Sequence, residues 1–342
     1  MTDIVHIKVE GIEDELILSA MQVLNQTFYE TSSINQSSAP NLTFKFSERM
    51  ENDRLLVQGE LNGKVQSLER KVVLKQETKI RKYAYLAVYL LLLQQHTGKV
   101  QSWGLLNGMR PTKLVHGMKK RNYSDTEIKE YMQEEYLVSD EKIDLLLEVA
   151  NHQLKVIPDL HTIHEEVSIY IGIPFCPTRC AYCTFAAYAY EPFKKWVEPF
   201  LDALLEEVKI VGSFVKERGI KITSIYFGGG TATTLTKEQF ETLLLTVYQN
   251  LASAAEVREI TVEAGRPDTI TPEKLALLKQ YGIHRISINP QSFHQRTLDE
   301  IGRHHTVEDV IEKYEMAKQY GFDNVNMDLI VGLPNEGCEE LA

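Results

Sequence analysis

Ser168-Ile-Tyr-Ile-Gly-Ile-Pro-Phe-Cys-Pro-Thr-Arg-Cys-Ala-Tyr-Cys183 begins as an apolar strand and runs straight into three cysteines, Cys176, Cys180 and Cys183. The C-x3-C-x2-C spacing sets three thiolates on one short loop, enough for three corners of a cubane iron–sulfur cluster. Full protein ligation would take a fourth cysteine. The remaining one, Cys338, lies far downstream. A cluster with one uncapped iron has an open coordination site, where chemistry can take place. A disulfide framework is disfavoured by four cysteines in 342 residues and by the lack of a secretory signal at the start of the chain. Structural zinc stays as the alternative. It normally closes four ligands, commonly paired Cys and His clusters, and here His304, His305 or Cys338 would have to arrive through the fold.

Outward from this stretch, strand and helix patterns alternate. Strands are predicted at Ser168–Ile173, Ile222–Phe227, Glu259–Glu263, Arg285–Asn289 and Asn324–Val331. Helices are predicted at Phe193–Glu217, Lys237–Leu251, Pro272–Tyr281 and Val307–Tyr320, with Thr236 as an N-cap and Thr271-Pro272 as a helix start. Such alternation implies a parallel sheet with helical crossovers, and ligands gather at the carboxyl ends of its strands. The unusual residues fall there. The cysteine loop follows the first strand and Gly228-Gly-Gly-Thr231 the second. Glu263 ends the third, Gln291 follows the fourth, and Asp328 lies in the fifth ahead of Gly332-Leu-Pro334.

Residues 1–165 read as a separate, small α+β domain. A strand is predicted at Ile4–Val9, a helix at Asp14–Phe28 and a polar loop at Ser32–Pro40. Antiparallel strands are expected at Leu42–Phe46, Arg54–Leu61 and Lys64–Leu74, then helices at Ile80–His96, Thr126–Glu135 and Asp140–Leu154. Trp103 to Lys113 reads as a turn between helices, or else as a contact to the second domain or to an anionic substrate. The apolar run Tyr83–Leu93 is too short for a bilayer, which takes about 20 residues, and is expected to form a buried helix. The composition, 43% hydrophobic and 25% charged, is that of an ordinary globular protein. A net charge of −11 argues against nucleic acid or an anionic membrane as partner, and Lys119-Lys120-Arg121 reads as a solvated helix end. A cytoplasmic location is expected, where thiolates stay reduced.

Tyr170-Ile-Gly-Ile-Pro-Phe-Cys176, Cys176-x3-Cys180-x-Tyr-Cys183, Phe227-Gly-Gly-Gly-Thr231, Arg285-x-Ser-x-x-x-Gln291-Ser-Phe, Ile301-Gly-Arg-His304 and Asn326-x-Asp-Leu-Ile-x-Gly-Leu-Pro334 resemble the oxygen-independent coproporphyrinogen III oxidase family of radical S-adenosylmethionine (SAM) enzymes. The branch most resembled is the HemZ-like one, which carries an extra N-terminal domain. The resemblance covers residues 166–342 and implies a partial parallel β/α barrel of six strands. Five are present here, so the chain is expected to belong to a longer reading frame that also encodes a C-terminal domain.

The resemblance further implies a [4Fe-4S] cluster held by Cys176, Cys180 and Cys183, with SAM chelating the fourth iron and yielding a 5′-deoxyadenosyl radical on reduction. Tyr170, Tyr182, Gly229, Gly230, Thr231, Glu263, Gln291, Arg303 and Asp328 match SAM-binding positions. Arg303 would suit a carboxylate through its planar fork, and Glu263 and Asp328 the ribose hydroxyls or the amino group. Tyr182 would pack over the adenine or the cluster. His284 carries no implied role and reads as a surface residue at a strand start, and His304 and His305 read as ordinary loop residues, with proton handling as the alternative.

The implied partners are a tetrapyrrole such as coproporphyrinogen III and an electron donor of the flavodoxin or ferredoxin kind. Gly172 stands where the family often has His, Ala232 where it has Pro, and Phe185 where some members have a further Cys. These departures bear on the substrate rather than on the cluster. Three functions follow: a coproporphyrinogen III dehydrogenase, a haem-binding or trafficking protein as in the related HemW branch, or another radical SAM reaction on a tetrapyrrole.

Overall fold

A computed structural model describes residues 4–73, 76–107, 110–163, 166–251 and 257–340. The chain divides into two compact units, Met1–Ile163 and His164–Ala342. The expected boundary at residue 165 lies outside the described residues.

The first unit holds strands β1 (Val5–Glu10), β2 (Ser32–Ile34), β3 (Leu42–Glu51), β4 (Arg54–Leu61) and β5 (Lys64–Lys71), in the order β2-β1-β3-β4-β5. The β3–β4 and β4–β5 pairs are antiparallel. Their turns, Asn52-Asp53 and Asn62-Gly63, all have positive φ, the twist that two-residue hairpins need. The last residue expected of β5, Leu74, lies outside the described residues.

The expected Ser32–Pro40 loop is corrected in part. Ser32–Ile34 pairs with Val5–Ile7 in parallel: Ile34 packs on the core, and Ser33 Oγ meets His6 Nδ1 at 2.8 Å while Gln22 Nε2 donates to Ser32 O at 2.9 Å. Helices α1 (Glu15–Asn25), α2 (Glu77–Thr97), α3 (Pro111–Lys119), α4 (Asp125–Tyr136) and α5 (Asp140–Val156) complete the unit. The run Tyr83–Leu93 lies in α2, with Ala84 to Leu90 all buried. Part of the expected Trp103–Lys113 turn is helix, since Pro111 sits at the first helical position, where its missing N–H costs nothing. Gly108 and Met109 of that run lie outside the described residues. Lys119 ends α3; its own side chain is only 14% exposed and pairs with Asp125, while Lys120 and Arg121 beyond it are exposed.

The second unit is a partial parallel β/α barrel. Strands β6 (Glu166–Ile173), β9 (Lys221–Gly229), β10 (Glu259–Glu263), β11 (Arg285–Ser287) and β12 (Val325–Asn326) form one sheet in the order β12-β11-β10-β9-β6, every pair parallel. A short parallel pair, β7 (Phe175–Cys176) with β8 (Tyr188–Ala189), brackets the cysteine loop. The covering helices are α6 (Tyr190–Phe193), α7 (Val197–Glu217), α8 (Lys237–Asn250), α9 (Pro272–Gln280), α10 (Gln295–Glu300) and α11 (Val307–Gln319).

Sequence sets where these helices start. Thr236 with Gln239 and Thr306 with Asp309 form capping boxes, and Thr271 caps α9 ahead of Pro272. Apolar residues on one face of the sheet form the core with the helices: Phe227 meets Phe240 edge-on at 6.0 Å, and Ile225, Ile260, Val262 and Ile286 share that face by register, while Tyr170 and Tyr226 stand exposed on the other.

The last two strands are shorter than expected. Beyond Ser287, Ile288 still donates to Asn326, but Pro290 has no N–H to continue the ladder and Gln291 turns left-handed at φ 67°. The fifth strand pairs through Val325 and Asn326, then through a single bridge from Leu329 to Gln291. In between, Asp328 N bonds the Asn289 side chain instead of a strand.

Candidate active site

The strand ends converge on one cleft. Its walls include Cys176, Cys180, Tyr182 and Cys183 from the cysteine loop, Gly229 to Thr231 after β9, Glu263, Gly265 and Arg266 after β10, Asn289 and Gln291 after β11, Arg303, and Asp328. Of the residues expected at the site, only Tyr170 is not on these walls. It stacks instead on Tyr226, ring centroids 5.7 Å apart, beside Glu263.

The cysteine loop is bound to the barrel on three sides. On one, Gly230 N donates to Ile173 O at 2.7 Å and Thr231 N to Phe175 O at 2.8 Å, while the Cys176 Sγ and Thr231 Oγ1 atoms lie 3.4 Å apart. Glycine is required here: a Cβ on Gly230 would lie 3.0 Å from Cys176 Sγ and 2.7 Å from Phe175 O. On the second side, Thr178 Oγ1 donates to Gly302 O at 3.0 Å and Ala181 N to Ile301 O at 3.0 Å. On the third, Tyr182 donates to Gln291 Oε1 at 2.8 Å and accepts from Arg303 Nη1 at 3.1 Å. Burial pushes the Tyr182 phenol up to about 12, so it is a neutral donor at working pH.

Gln291 ties this side down further, its backbone N and its Nε2 both reaching Asp328 O. The fork of Arg303 is engaged by protein: Nη2 donates to Gly265 O at 2.8 Å and Asn289 O at 2.6 Å. Its Nε is buried with no partner among the described residues.

Glu263 lines the same cleft as the thiols. Burial raises its pKa, with the nearby Asp328 charge adding to the rise, against opposing hydrogen bonds from Tyr226 and the Gly229 N–H. No cation is among the groups acting on it. Gly228 lets these side chains pack close to the backbone: a Cβ there would meet the Tyr226 ring at 2.6 Å and Glu263 Oε2 and Tyr170 OH each at 2.8 Å.

The cleft suits a cluster and a cationic ligand on its own atoms. Burial raises the Cys176 pKa, and Thr231 and Arg266 oppose the rise. Coordination would oppose it further, because a metal-bound thiol is deprotonated outright. Among the described residues no three His, Cys, Asp or Glu side chains close around one ion position. Ligands of a cubane attach to separate irons and need not converge. The Glu263–Asp328 pair, with no cation acting on Glu263 among the described residues, fits a ligand that brings positive charge, as the ammonium and sulfonium groups of SAM do.

Other candidates fall elsewhere. Cys338 is exposed. His284 Nδ1 accepts from Ile260 N at 3.0 Å and so secures the start of a strand. His304 is exposed, and His305 is buried off the cleft. Arg266, Asn289 and Thr178 escaped the sequence reading. The one signal was a charged residue set between glycine and proline, directly after a strand end, in Glu263-Ala-Gly-Arg-Pro-Asp268.

The radical SAM superfamily matches residues 170–342. The oxygen-independent coproporphyrinogen-III oxidase-like protein HemZ of Bacillus subtilis is 45% identical over 98% of this chain and 68% of its own length. The heme chaperone HemW of the same organism is 36% identical over 51% of this chain, and the match spans 45% of that protein. Among solved structures, the coproporphyrinogen III oxidase HemN of Escherichia coli, a radical SAM enzyme, aligns with a TM-score of 0.47 and 28% identity, covering 52% of this chain and 40% of that one. No helix among the described residues is long and apolar enough to cross a membrane. Because the matched stretch begins on the first barrel strand and takes in every strand end of the cleft, the chain belongs to the radical SAM superfamily, in its HemZ-like branch, whose cofactors are a [4Fe-4S] cluster and SAM.

Proposed function

We propose that this chain supplies the cluster- and SAM-holding core of an oxygen-independent coproporphyrinogen III dehydrogenase. The observation that carries the reading is the 45% identity to HemZ over 98% of the chain, joined to a cleft lined by three thiols and by the Glu263–Asp328 acid pair. In this reading Cys176, Cys180 and Cys183 ligate the cluster, and Glu263 and Asp328 take the SAM ammonium or ribose. Gly228 to Thr231 line the methionine arm, and Tyr182, Gln291 and Arg303 hold the cysteine loop against the barrel. Bound together, cluster and SAM supply a carbon radical able to take a hydrogen atom.

The substrate step removes a β-hydrogen atom from a propionate. The side chain then loses CO2 and one electron to an acceptor and becomes a vinyl, and two such events convert two propionates. Phe185, 63% exposed, and the exposed Arg179 stand at the mouth of the cleft. An aromatic face beside a cation suits a planar polycarboxylate. A flavodoxin- or ferredoxin-like protein is the proposed donor.

The test is anaerobic cluster reconstitution, reduction, addition of SAM and coproporphyrinogen III, and mass spectrometry. Protoporphyrinogen with 5′-deoxyadenosine is the expected result. 5′-Deoxyadenosine with the porphyrinogen untouched would discard the substrate. The similarity to HemW favours one second reading, haem binding, which predicts stoichiometric haem uptake without substrate-dependent SAM turnover. The ligand assignment has its own check. Cys180→Ala should lose the brown cluster and Cys338→Ala should keep it; full iron content in the first variant would refute the assignment.

A further inference from the structure

Arg266 is 2% exposed and lies behind the cysteine loop. Its Nη1 donates to Thr178 O at 3.3 Å, to Thr178 Oγ1 at 3.1 Å and to Cys180 Sγ at 3.7 Å, within range for a sulfur acceptor. The other edge of the guanidinium forms a two-point pair with Asp268, Nε to Oδ1 and Nη2 to Oδ2, both at 3.2 Å. The charge is therefore fixed in orientation, shielded from water and hydrogen-bonded to one thiol, Cys180, while its field also reaches Cys176.

We propose that Arg266 is a positioning residue for the iron–sulfur chemistry: it fixes the Cys180 thiolate and, with Asp268 as its counter-charge, sets the reduction potential of the cluster that Cys180 ligates. Hydrogen bonds to ligand sulfur, local charge and solvent exclusion are the levers by which proteins tune such clusters. A buried cation beside the sulfur favours the reduced, more negative cluster. Asp268 weakens that effect by partial neutralisation. The two residues therefore push the potential in opposite directions, a signature that a merely structural role does not produce. The inference rests on the assignment of the three cysteines as ligands and is independent of the substrate.

The experiment is an EPR-monitored redox titration of the full chain after anaerobic reconstitution, with iron and sulfide quantified for each protein. Arg266→Gln should lower the reduction equilibrium constant at least tenfold, about 59 mV for a one-electron couple. Asp268→Asn should shift it the other way. Arg266→Lys, which keeps the charge but loses the fork, should fall between Arg266→Gln and the parent. Equal potentials at full iron content would overturn the proposal, as would Arg266→Gln and Asp268→Asn moving in the same direction. Should Arg266→Gln not fold, Asp268→Asn decides alone: with Asp268 partly exposed that variant keeps the fold, and no upward shift refutes the role. A parent chain that takes up no cluster fails the ligand assignment instead, which iron analysis reports separately.

Discussion

Arg303 and Tyr182, 121 residues apart, meet at 3.1 Å and join the cysteine loop to the far side of the barrel. The same hydroxyl donates to Gln291, so one phenol closes a bond between three segments distant in sequence. Removing it leaves the Gln291 Oε1 and Arg303 Nη1 atoms without this partner, while Gln291 Nε2 and Arg303 Nη2 keep theirs.

Tyr182→Phe is therefore expected to cost about 1–3 kcal/mol, the usual penalty for stranding buried polar groups. Tyr226→Phe is the control, because that hydroxyl makes one long bond of 3.4 Å at an exposed position. Urea unfolding of both variants checks the difference. Equal destabilisation would mean that the Tyr182 network holds nothing.

Gly228→Ala places a methyl 2.6 Å from the Tyr226 ring and 2.8 Å from both Glu263 Oε2 and Tyr170 OH. Overpacking of this kind costs roughly 1–3 kcal/mol. SAM affinity, measured by anaerobic calorimetry, should fall at least tenfold. Gly172→Ala adds a methyl that meets only a Tyr170 ring carbon at 3.5 Å, an ordinary contact, and should bind SAM as the parent does.

Glu263 gives a pH test. Its folded pKa is raised above the ordinary 4.5, first by burial and then by Asp328. The folded state thus holds this proton more tightly than the unfolded one. That contribution to stability is complete below about 4.5 and is lost as pH rises through the raised value. Glu263→Gln should therefore melt higher than the parent at neutral pH, with the gain vanishing near pH 4. SAM binding should move the opposite way, weakening in the variant at pH 7.5 and in the parent as pH falls through the Glu263 pKa. A variant that melts lower at pH 7.5 would contradict the burial argument.

His305 should define an acid limb. It is 1% exposed, and both ring nitrogens lack partners among the described residues. Burial, with Arg303 and Arg266 nearby, lowers its pKa from 6.5 to about 4. The unfolded chain takes up this proton first as pH falls, so stability declines from pH 6.5 towards 4, by roughly 3 kcal/mol over the window. His305→Leu should flatten that limb without loss at pH 7.5. Chemical denaturation at pH 7.5, 6 and 5 reads the slopes directly, and parallel curves would show that His305 does not titrate there.

How much of this was legible in the sequence depends on how local each signal is. The five strand ends could be read because glycine runs, cysteine spacing and strand-terminal acids mark themselves within a few residues. Capping boxes at Thr236 and Thr306 are local for the same reason. Pro111 is local too, yet its position admits two readings, helix breaker or first helical residue, and only packing decides. Ser32–Ile34 carries no strand pattern; its pairing is imposed by Val5–Ile7 alongside. Arg266 looked like any loop arginine, because its burial and its approach to Cys180 come from chain 86 residues away. Asn289 likewise depends on strands that meet only in the fold.

The tethers of the cysteine loop run from protein to protein: to the backbone of the glycine turn, to the carbonyls of residues 301 and 302, and to Gln291 through Tyr182. Metal domains that lack such anchors fold only around their ion, and their binding free energy goes into ordering the chain. Here the loop has its shape from the barrel. Iron and sulfide meet a loop already held in place, so assembly should proceed without a folding step. Loss of the inorganic core to oxygen then leaves a polypeptide that can be reloaded in place rather than degraded and remade.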